Sequence, residues 1–192
     1  MKKLLPLLLA GGLLAGNVSH LNAAEYVVDT KGAHAFINFK IKHLGYSWLT
    51  GRFNTFTGSF EYDERKPNDS SITIDIDTTS FDSNHAERDK HIRSGDFLNV
   101  AKFPTAKFES TQVIDKGDGA LEVKGKLTLH GVTKDIVIDA EKIGEGKDPW
   151  GNYRAGFSGT TTIRLGDYNI PESLGPASRD VLLELHIEGI RQ

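Results

Sequence analysis

Apolar and polar residues alternate with a period of two along most of the chain, which predicts an antiparallel β protein. In the first such run, 35–43, the predicted inward face ends at His43. In the clearest run, 121–129, every second residue is apolar or glycine. We count about eight strands, a number and spacing typical of a sandwich or an up-and-down barrel. The predicted strands are 35–43, 56–62, 72–76, 106–110, 121–129, 136–140, 155–165 and 181–187.

Two stretches break this alternation. Residues 83–100 begin with a polar group typical of a capped helix start, so we expect a short helical insertion there. Residues 144–151 are rich in glycine and contain a proline, which predicts a long loop. No repeat, low-complexity tract or linker divides the chain, so the sequence predicts one domain over 24–192.

The first residues have the layout of a secretory signal peptide. Lys2 and Lys3 give a positive start, residues 4–15 are uncharged and apolar, and small residues follow as far as Ala24. We predict a cleaved signal peptide over 1–23, with Ala24 as the first residue of the mature chain. No later stretch is long and apolar enough for a membrane helix, so no integral membrane span is expected.

Composition narrows the classes of function. The chain is 38% apolar and 26% charged, as globular proteins are. Because it contains no cysteine, disulfides, thiolate zinc sites and cysteine nucleophiles are excluded. The formal charge of -3 shows no basic excess, so nucleic acid is not the expected partner.

The densest polar cluster runs from His85 to His91. On a helix, Glu87 and His91 are four residues apart, so both side chains could reach one metal ion. Arg88 and Lys90 would repel a cation, however, so an ion-paired surface is the favoured interpretation. We therefore predict no metal site.

Other candidates for chemistry are equally weak. His43 lies among apolar residues, so we interpret it as a hydrogen-bonded core residue rather than as a catalyst. Asp75 and Asp77 lie on the polar face of a predicted strand, without the burial that would separate two carboxyl pKa values. The sequence has no nucleophile elbow, phosphate-binding loop or dinucleotide fingerprint. It offers no convincing catalytic set, which favours a binding role and predicts no enzyme.

Aromatic residues are concentrated on the predicted strands, and two interpretations stay open. They either fill a sandwich core or line the cavity of a small barrel, which has room for side chains or one small ligand. Gly58, Gly125 and Gly159 on inward faces would leave space beside them in the second case.

Several motifs spread over the mature chain carry a family resemblance. The sequence resembles the YceI-like family of secreted, lipocalin-like polyisoprenoid-binding proteins. The resemblance implies an all-β fold, an eight-stranded antiparallel lipocalin-like β-barrel with a short helical insertion. It also implies a periplasmic location, an isoprenoid lipid or quinone held in an apolar cavity, no other cofactor and no established catalytic activity. The motifs are His34-Ala35-Phe36, His43-Leu44-Gly45-Tyr46-Ser47-Trp48, residues 84–91, Gly131-Val132-Thr133-Lys134, Asp148-Pro149-Trp150-Gly151, Arg154-Ala155-Gly156-Phe157 and Leu174-Gly175-Pro176-Ala177-Ser178.

The predicted ligand-binding residues come from strand facing rather than from the resemblance. His43, Tyr46 and Trp48 cluster at a strand end, where they could hydrogen-bond a quinone or phenol head group. The predicted set is Phe39, His43, Tyr46, Trp48, Phe53, Phe56, Phe60, Phe108 and Phe157.

Two other functions stay open beside the lipid carrier. One is an enzyme or stress-response factor that acts on isoprenoid quinone precursors through His85, Asp89 and His91. The other is an interaction module whose core is filled. Barrels of this kind often form homodimers, but no sequence pattern identifies an interface.

Overall fold

Eleven strands pair antiparallel in one sheet that closes on itself. The structure is a computed structural model that describes residues 23–192. Pairing of β1 with β11 closes the ring β1-β4-β5-β7-β8-β9-β10-β11, which has eight strands. The predicted eight-stranded barrel is thereby confirmed. The strands are β1 Ala24–Val28, β2 Phe36–His43, β3 Ser47–Phe53, β4 Phe56–Tyr62, β5 Ser71–Asp77, β6 Phe81–Asp82, β7 Thr105–Gly117, β8 Ala120–Leu129, β9 Val132–Lys147, β10 Tyr153–Arg164 and β11 Asp180–Arg191.

Three walls of the barrel are interrupted strands. β1 pairs with β11 at residues 189–191, and β2 pairs with the same strand at 181–186, so β2 continues the line of β1 after a turn. In the same way, β3 and β4 follow one another along a second wall. A third wall consists of β5 followed by β6, which pairs with β3 over two residues. The barrel therefore keeps eight walls although the strands number eleven.

The alternation in the sequence predicts the inward faces well. In β8 all five predicted inward positions, from Leu121 to Leu129, are buried. In β4 the predicted inward residues Phe56, Phe60 and Tyr62 are also buried. This agreement arises because a half-buried strand must place every second side chain in the core.

Two predictions about element bounds are wrong. The strand count from sequence omits β1, β3 and β6, which are short or carry exposed aromatic residues. The predicted loop 144–151 is strand as far as Lys147, because Gly144 pairs with Gly156 and Gly146 with Arg154 in the ladder of β9 and β10. Ladder hydrogen bonds from a long neighbouring strand outweigh the weak strand preference of glycine.

The predicted helical insertion is α1, Ala86–Arg93, between β6 and β7. The ring of His85 accepts a hydrogen bond from the Arg88 N–H at 3.2 Å and caps its first turn. Phe97 and Leu98, just after the helix, are buried against the core. Residues 23–192 also contain four 3₁₀ turns, at Pro67–Asp69, Thr78–Ser80, Leu165–Tyr168 and Pro176–Ser178.

The barrel has two distinct ends. The helix end carries α1, the β2–β3 hairpin and the turn Leu165–Tyr168, and the terminus end carries the start of β1 and the end of β11. Among residues 23–192, no helix is long and apolar enough to cross a membrane. The predicted signal peptide over 1–23 lies outside the described residues except for Ala23, and the single domain over 24–192 stays a prediction.

Candidate functional site

An apolar cavity of about 140 Å³ lies inside the barrel. The inward faces of eight strands contribute its lining, which consists mainly of branched aliphatic side chains with a few phenylalanines. Inward residues of β5, β8, β9 and β11 line most of it, among them Ile74, Val123, Ile138 and Leu185. Such a lining offers a ligand dispersion contacts and exclusion of water rather than directed hydrogen bonds.

Aromatic rings narrow the cavity toward the terminus end. The rings of Tyr26 and Phe60 stack with centroids 4.8 Å apart. Phe157 meets Phe60 edge-on at 5.6 Å and Tyr62 at 5.0 Å. Because these rings come from β1, β4 and β10, they bring non-neighbouring walls together.

An ion pair crosses the same end outside the rings. The ammonium of Lys142 on β9 lies 2.6 Å from Oε1 of Glu64, in the connection between β4 and β5. These elements are not neighbours in the sheet. Lys142 also lies 5.4 Å above the ring of Tyr62, so the pair and the rings together restrict access from this end.

A second aromatic cluster fills the helix end. Phe39 stacks on Phe81 with centroids 5.1 Å apart, and Phe53 meets Phe81 edge-on at 5.9 Å. The backbone of Gly51 makes room for this packing, because a Cβ there would lie 2.4 Å from the Phe39 ring. The cluster separates the cavity from the β2–β3 hairpin.

The predicted ligand-binding phenylalanines fall into two groups. Phe60, Phe108 and Phe157 line the cavity. Phe39 and Phe53 belong to the cluster at the helix end, and Phe56 is buried in the core outside the cavity lining.

His43, Tyr46 and Trp48 lie away from the cavity, on the β2–β3 hairpin. Tyr46 is 88% exposed and Trp48 55% exposed. His43 is exposed as well, so the expectation of an inward, core histidine is wrong. The reason is local, because the turn at Leu44 begins there and the inward face of β2 ends at Ile41.

The inward glycines leave less space than expected. A Cβ at Gly125 would lie 2.4 Å from the Phe108 ring, and one at Gly58 would lie 2.4 Å from the carbonyl oxygen of Thr73. At Gly159 a Cβ would be 3.0 Å from a methyl group of Ile138. Neighbouring side chains and backbone occupy the space at Gly58 and Gly125, whereas Gly159 lines the cavity.

The polar residues around α1 bind separate partners. Asp89 is buried and accepts hydrogen bonds from the backbone N–H and the hydroxyl of Ser83. His91 lies 3.3 Å from a carboxylate oxygen of Asp96, on the other side of the helix end. His85 caps the helix. These contacts hold the insertion together and do not converge on one point.

A charged cluster on the outer wall ties the interrupted strands together. Arg154 on β10 contacts Asp29 and Glu188, each at 2.6 Å, and Asp148 at 2.7 Å. Hydrogen bonds from Arg154 and then His34 lower the pKa of Asp29 to about 2. Asp29, His34 and Glu188 have the spacing of metal ligands. The Arg154 guanidinium already contacts both carboxylates and would repel a cation, so we assign the cluster a structural role.

The barrel wall contains a gap between β9 and β10. These strands pair only from Tyr153–Lys147 to Thr160–Asp139. Beyond that point residues 132–138 pair with β8 alone and residues 161–164 with β11 alone, within the described part of the chain. A polar cleft of about 610 Å³ occupies the gap. We call this gap, bounded by 134–139, 160–164 and the turn Leu165–Tyr168, the window.

Tyr168 closes the window toward the helix end. Its backbone oxygen lies 3.0 Å from Nδ1 of His130, which attaches the turn to the β8–β9 connection. The side chain is fully buried, lines the cleft, and its hydroxyl has no hydrogen-bond partner among residues 23–192. Burial raises the pKa of Tyr168 to about 12, so the hydroxyl stays protonated. Tyr168 could not be found from the alternation, because it lies between the last two alternating runs, 155–165 and 181–187.

Comparisons with known proteins agree with this architecture. A UPF0312 protein of Shewanella sp. (strain ANA-3) is 56% identical over 191 residues, covering 100% of this chain and 99% of that protein. The crystal structure of Burkholderia cenocepacia BcnA has a TM-score of 0.75 at 21% identity, covering 84% of this chain and 98% of that one. A Saccharophagus degradans structure described as a polyisoprenoid binding domain has a TM-score of 0.63 at 16% identity, covering 88% and 99%. The YceI-like domain family matches residues 26–189, and the chain therefore belongs to that family.

Proposed function

We propose that the protein binds a lipid with an isoprenoid chain, non-covalently, inside the barrel. The observation that carries the proposal is the apolar cavity inside the barrel, which lies between two aromatic clusters. The fold is shared with a domain described as polyisoprenoid binding in Saccharophagus degradans, which supports the same class of ligand here.

Burial of apolar surface provides the affinity. Each Å² of hydrocarbon removed from water contributes roughly 25 cal/mol. The methyl-branched chain of an isoprenoid fits a wall of isoleucine, leucine and valine side chains, since both surfaces are irregular and apolar.

The cavity volume limits how much of the ligand enters without rearrangement. An apolar cavity of about 150 Å³ holds one benzene molecule, so 140 Å³ accommodates a short part of a long tail. Longer tails require rotation of Phe60, Phe108 or Phe157, the large side chains of the lining. We therefore expect binding of a long chain to change the environment of these rings.

Carriage in the periplasm, with an isoprenoid quinone or its precursor as cargo, is the finer form of the proposal. The predicted signal peptide supports that compartment, and the absence of a convincing catalytic set in the sequence favours binding over turnover. The residues of the enzymatic alternative, His85, Asp89 and His91, have separate structural partners, which does not favour it.

Mass spectrometry of an organic extract tests the proposal. The mature protein is purified without detergent from its native periplasm, and we expect a stoichiometric isoprenoid lipid in the extract. An Ile74→Trp variant, which fills the cavity from its wall, is the control and is expected to carry less lipid. A clean extract from the unchanged protein, together with no binding of added ubiquinone, would overturn the proposal in favour of a filled-core interaction module.

A further inference from the structure

The window and the internal cavity adjoin one another. Ile136 of β9 and Thr161 of β10 line both of them. At these two residues the wall between the polar cleft and the apolar interior is one side chain thick. The ladder that seals the rest of the wall is missing at this point in the described chain.

Aromatic side chains narrow the barrel toward both ends, although the cavity lining also reaches Ser70 and Ser71 at the terminus end. Phe157 packs against Tyr62 and Phe60 at the terminus end, where Lys142 and Glu64 add an ion pair. The cluster around Phe81 fills the helix end. A tail that entered from the helix end would have to displace packed aromatic rings, whereas entry through the window breaks no ladder hydrogen bond.

The polarity of the window differs from that of the cavity. Its lining includes Thr160, Thr162, Lys134 and Asp139, all able to hydrogen-bond a polar group. At its closed edge, the Tyr168 hydroxyl is buried and has no partner among residues 23–192. A buried donor without a partner is costly, and a ligand oxygen would remove that cost.

We propose that the window between β9 and β10 is the route by which the lipid tail enters the barrel and the place where its polar head is held. The Tyr168 hydroxyl donates a hydrogen bond to the head-group oxygen, while the chain extends past Ile136 and Thr161 into the cavity. The inference rests on the proposed lipid-binding function, to which it adds a route and a head-group contact. The ligand class is an isoprenoid with a hydroxyl or carbonyl oxygen at one end.

The head-group contact is tested with Tyr168→Phe, which removes one oxygen and leaves the ring. The probes are farnesol, an isoprenoid alcohol, and farnesene, a hydrocarbon of the same carbon skeleton, and binding is measured by calorimetry. We expect Tyr168→Phe to weaken farnesol binding by about 3- to 10-fold, the range of one net neutral hydrogen bond, and to leave farnesene binding unchanged. Equal affinities of the variant and the unchanged protein for farnesol would overturn the head-group assignment.

The route is tested separately, using the absence of native cysteine. Thr162→Cys places a thiol in the window, and Thr57→Cys places one at an exposed position of β4 as the matched control. Each variant is labelled with a bulky maleimide, and association of retinol, a fluorescent isoprenoid alcohol, is followed by stopped flow. The label at 162 is expected to slow association by about tenfold or more, and the label at 57 to leave it unchanged.

The outcomes distinguish the two proposals. Association unaffected by the label at 162 would overturn the route while lipid binding itself persists. If the unchanged protein binds none of the three probes, the proposed function fails, and the inference that rests on it fails with it. Circular dichroism of the labelled and unlabelled variants verifies that each retains the barrel, so that a slow rate reports access rather than unfolding.

Discussion

Replacement of Arg154 by methionine should destabilise the barrel more than any other single charge removal on its outer wall. Methionine keeps much of the aliphatic volume and removes the guanidinium, so the contacts to Asp29, Glu188 and Asp148 are lost together. The side chains of Asp29 and Asp148 are each only 6% exposed, and that of Arg154 is 19% exposed. The variant therefore leaves two nearly buried carboxylates without the guanidinium.

We take the magnitude from the pair of Arg154 with Asp29. Breaking a fully buried ion pair costs about 3–5 kcal/mol, and the partial exposure of Arg154 reduces this, so we expect about 2–3 kcal/mol. For a chain of this length the midpoint of thermal unfolding should fall by about 5–10 °C. Circular dichroism during heating and in urea measures both quantities.

Arg164→Met is the matched control. Arg164 is 50% exposed and forms an ion pair with Glu172 at 3.1 Å, so its removal should lower the free energy of unfolding much less than Arg154→Met does. Equal destabilisation by the two substitutions would refute the reasoning, because it would mean that convergence of three carboxylates on Arg154 contributes nothing beyond a surface pair.

The remaining predictions concern pH and the cavity wall. Hydrogen bonds from Arg154 and other groups hold the pKa values of Asp29 and Asp148 at about 2, below the usual value. The stabilisation that these carboxylates provide is therefore present above about pH 4 and is lost as the pH falls toward 2. Urea titrations should show that the difference in free energy of unfolding between the unchanged protein and Arg154→Met narrows over that interval. Ile74→Ala, in the cavity wall, should cost about 2–4 kcal/mol in urea unfolding, whereas the exposed Ile143→Ala should change stability by less than about 0.5 kcal/mol. Gly125→Ala should cost about 1–3 kcal/mol and weaken tail binding in calorimetry, because the new methyl group would displace the aromatic ring 2.4 Å away toward the cavity.

Facing within strands could be predicted from the sequence because it is a local property. The alternation in β8 specifies which side chains point inward whatever its neighbours are. The same periodicity places Phe60, Phe108 and Phe157 inward, where they line the cavity. The same periodicity also predicts an inward His43, and this prediction is wrong. The end of β2 depends on a turn that is held by hydrogen bonds to Ser178, from a distant segment.

Pairing between strands could not be predicted in this way. Gly144 and Gly146 lie in a strand because they pair with residues of β10 about ten positions further along the chain. Nothing in the local sequence around these glycines indicates this pairing. The window is defined by a ladder that stops at Thr160, which is a property of two strands together. Tyr168 follows the last residue of β10, so periodicity carries no information about it. The predicted homodimer likewise stays a prediction.

The missing ladder between β9 and β10 also bears on how the barrel fluctuates. Hydrogen exchange in proteins reports local openings whose free energies range from nearly zero to that of global unfolding. Residues 132–138 are held by a neighbour on one side only, so they can separate from 161–164 without breaking any hydrogen bond between them. Opening of this part of the wall would therefore not require the rest of the barrel to unfold. If the lipid passes through the window as proposed, its exchange would be kinetically uncoupled from unfolding, so that slow unfolding and fast release of the ligand could coexist.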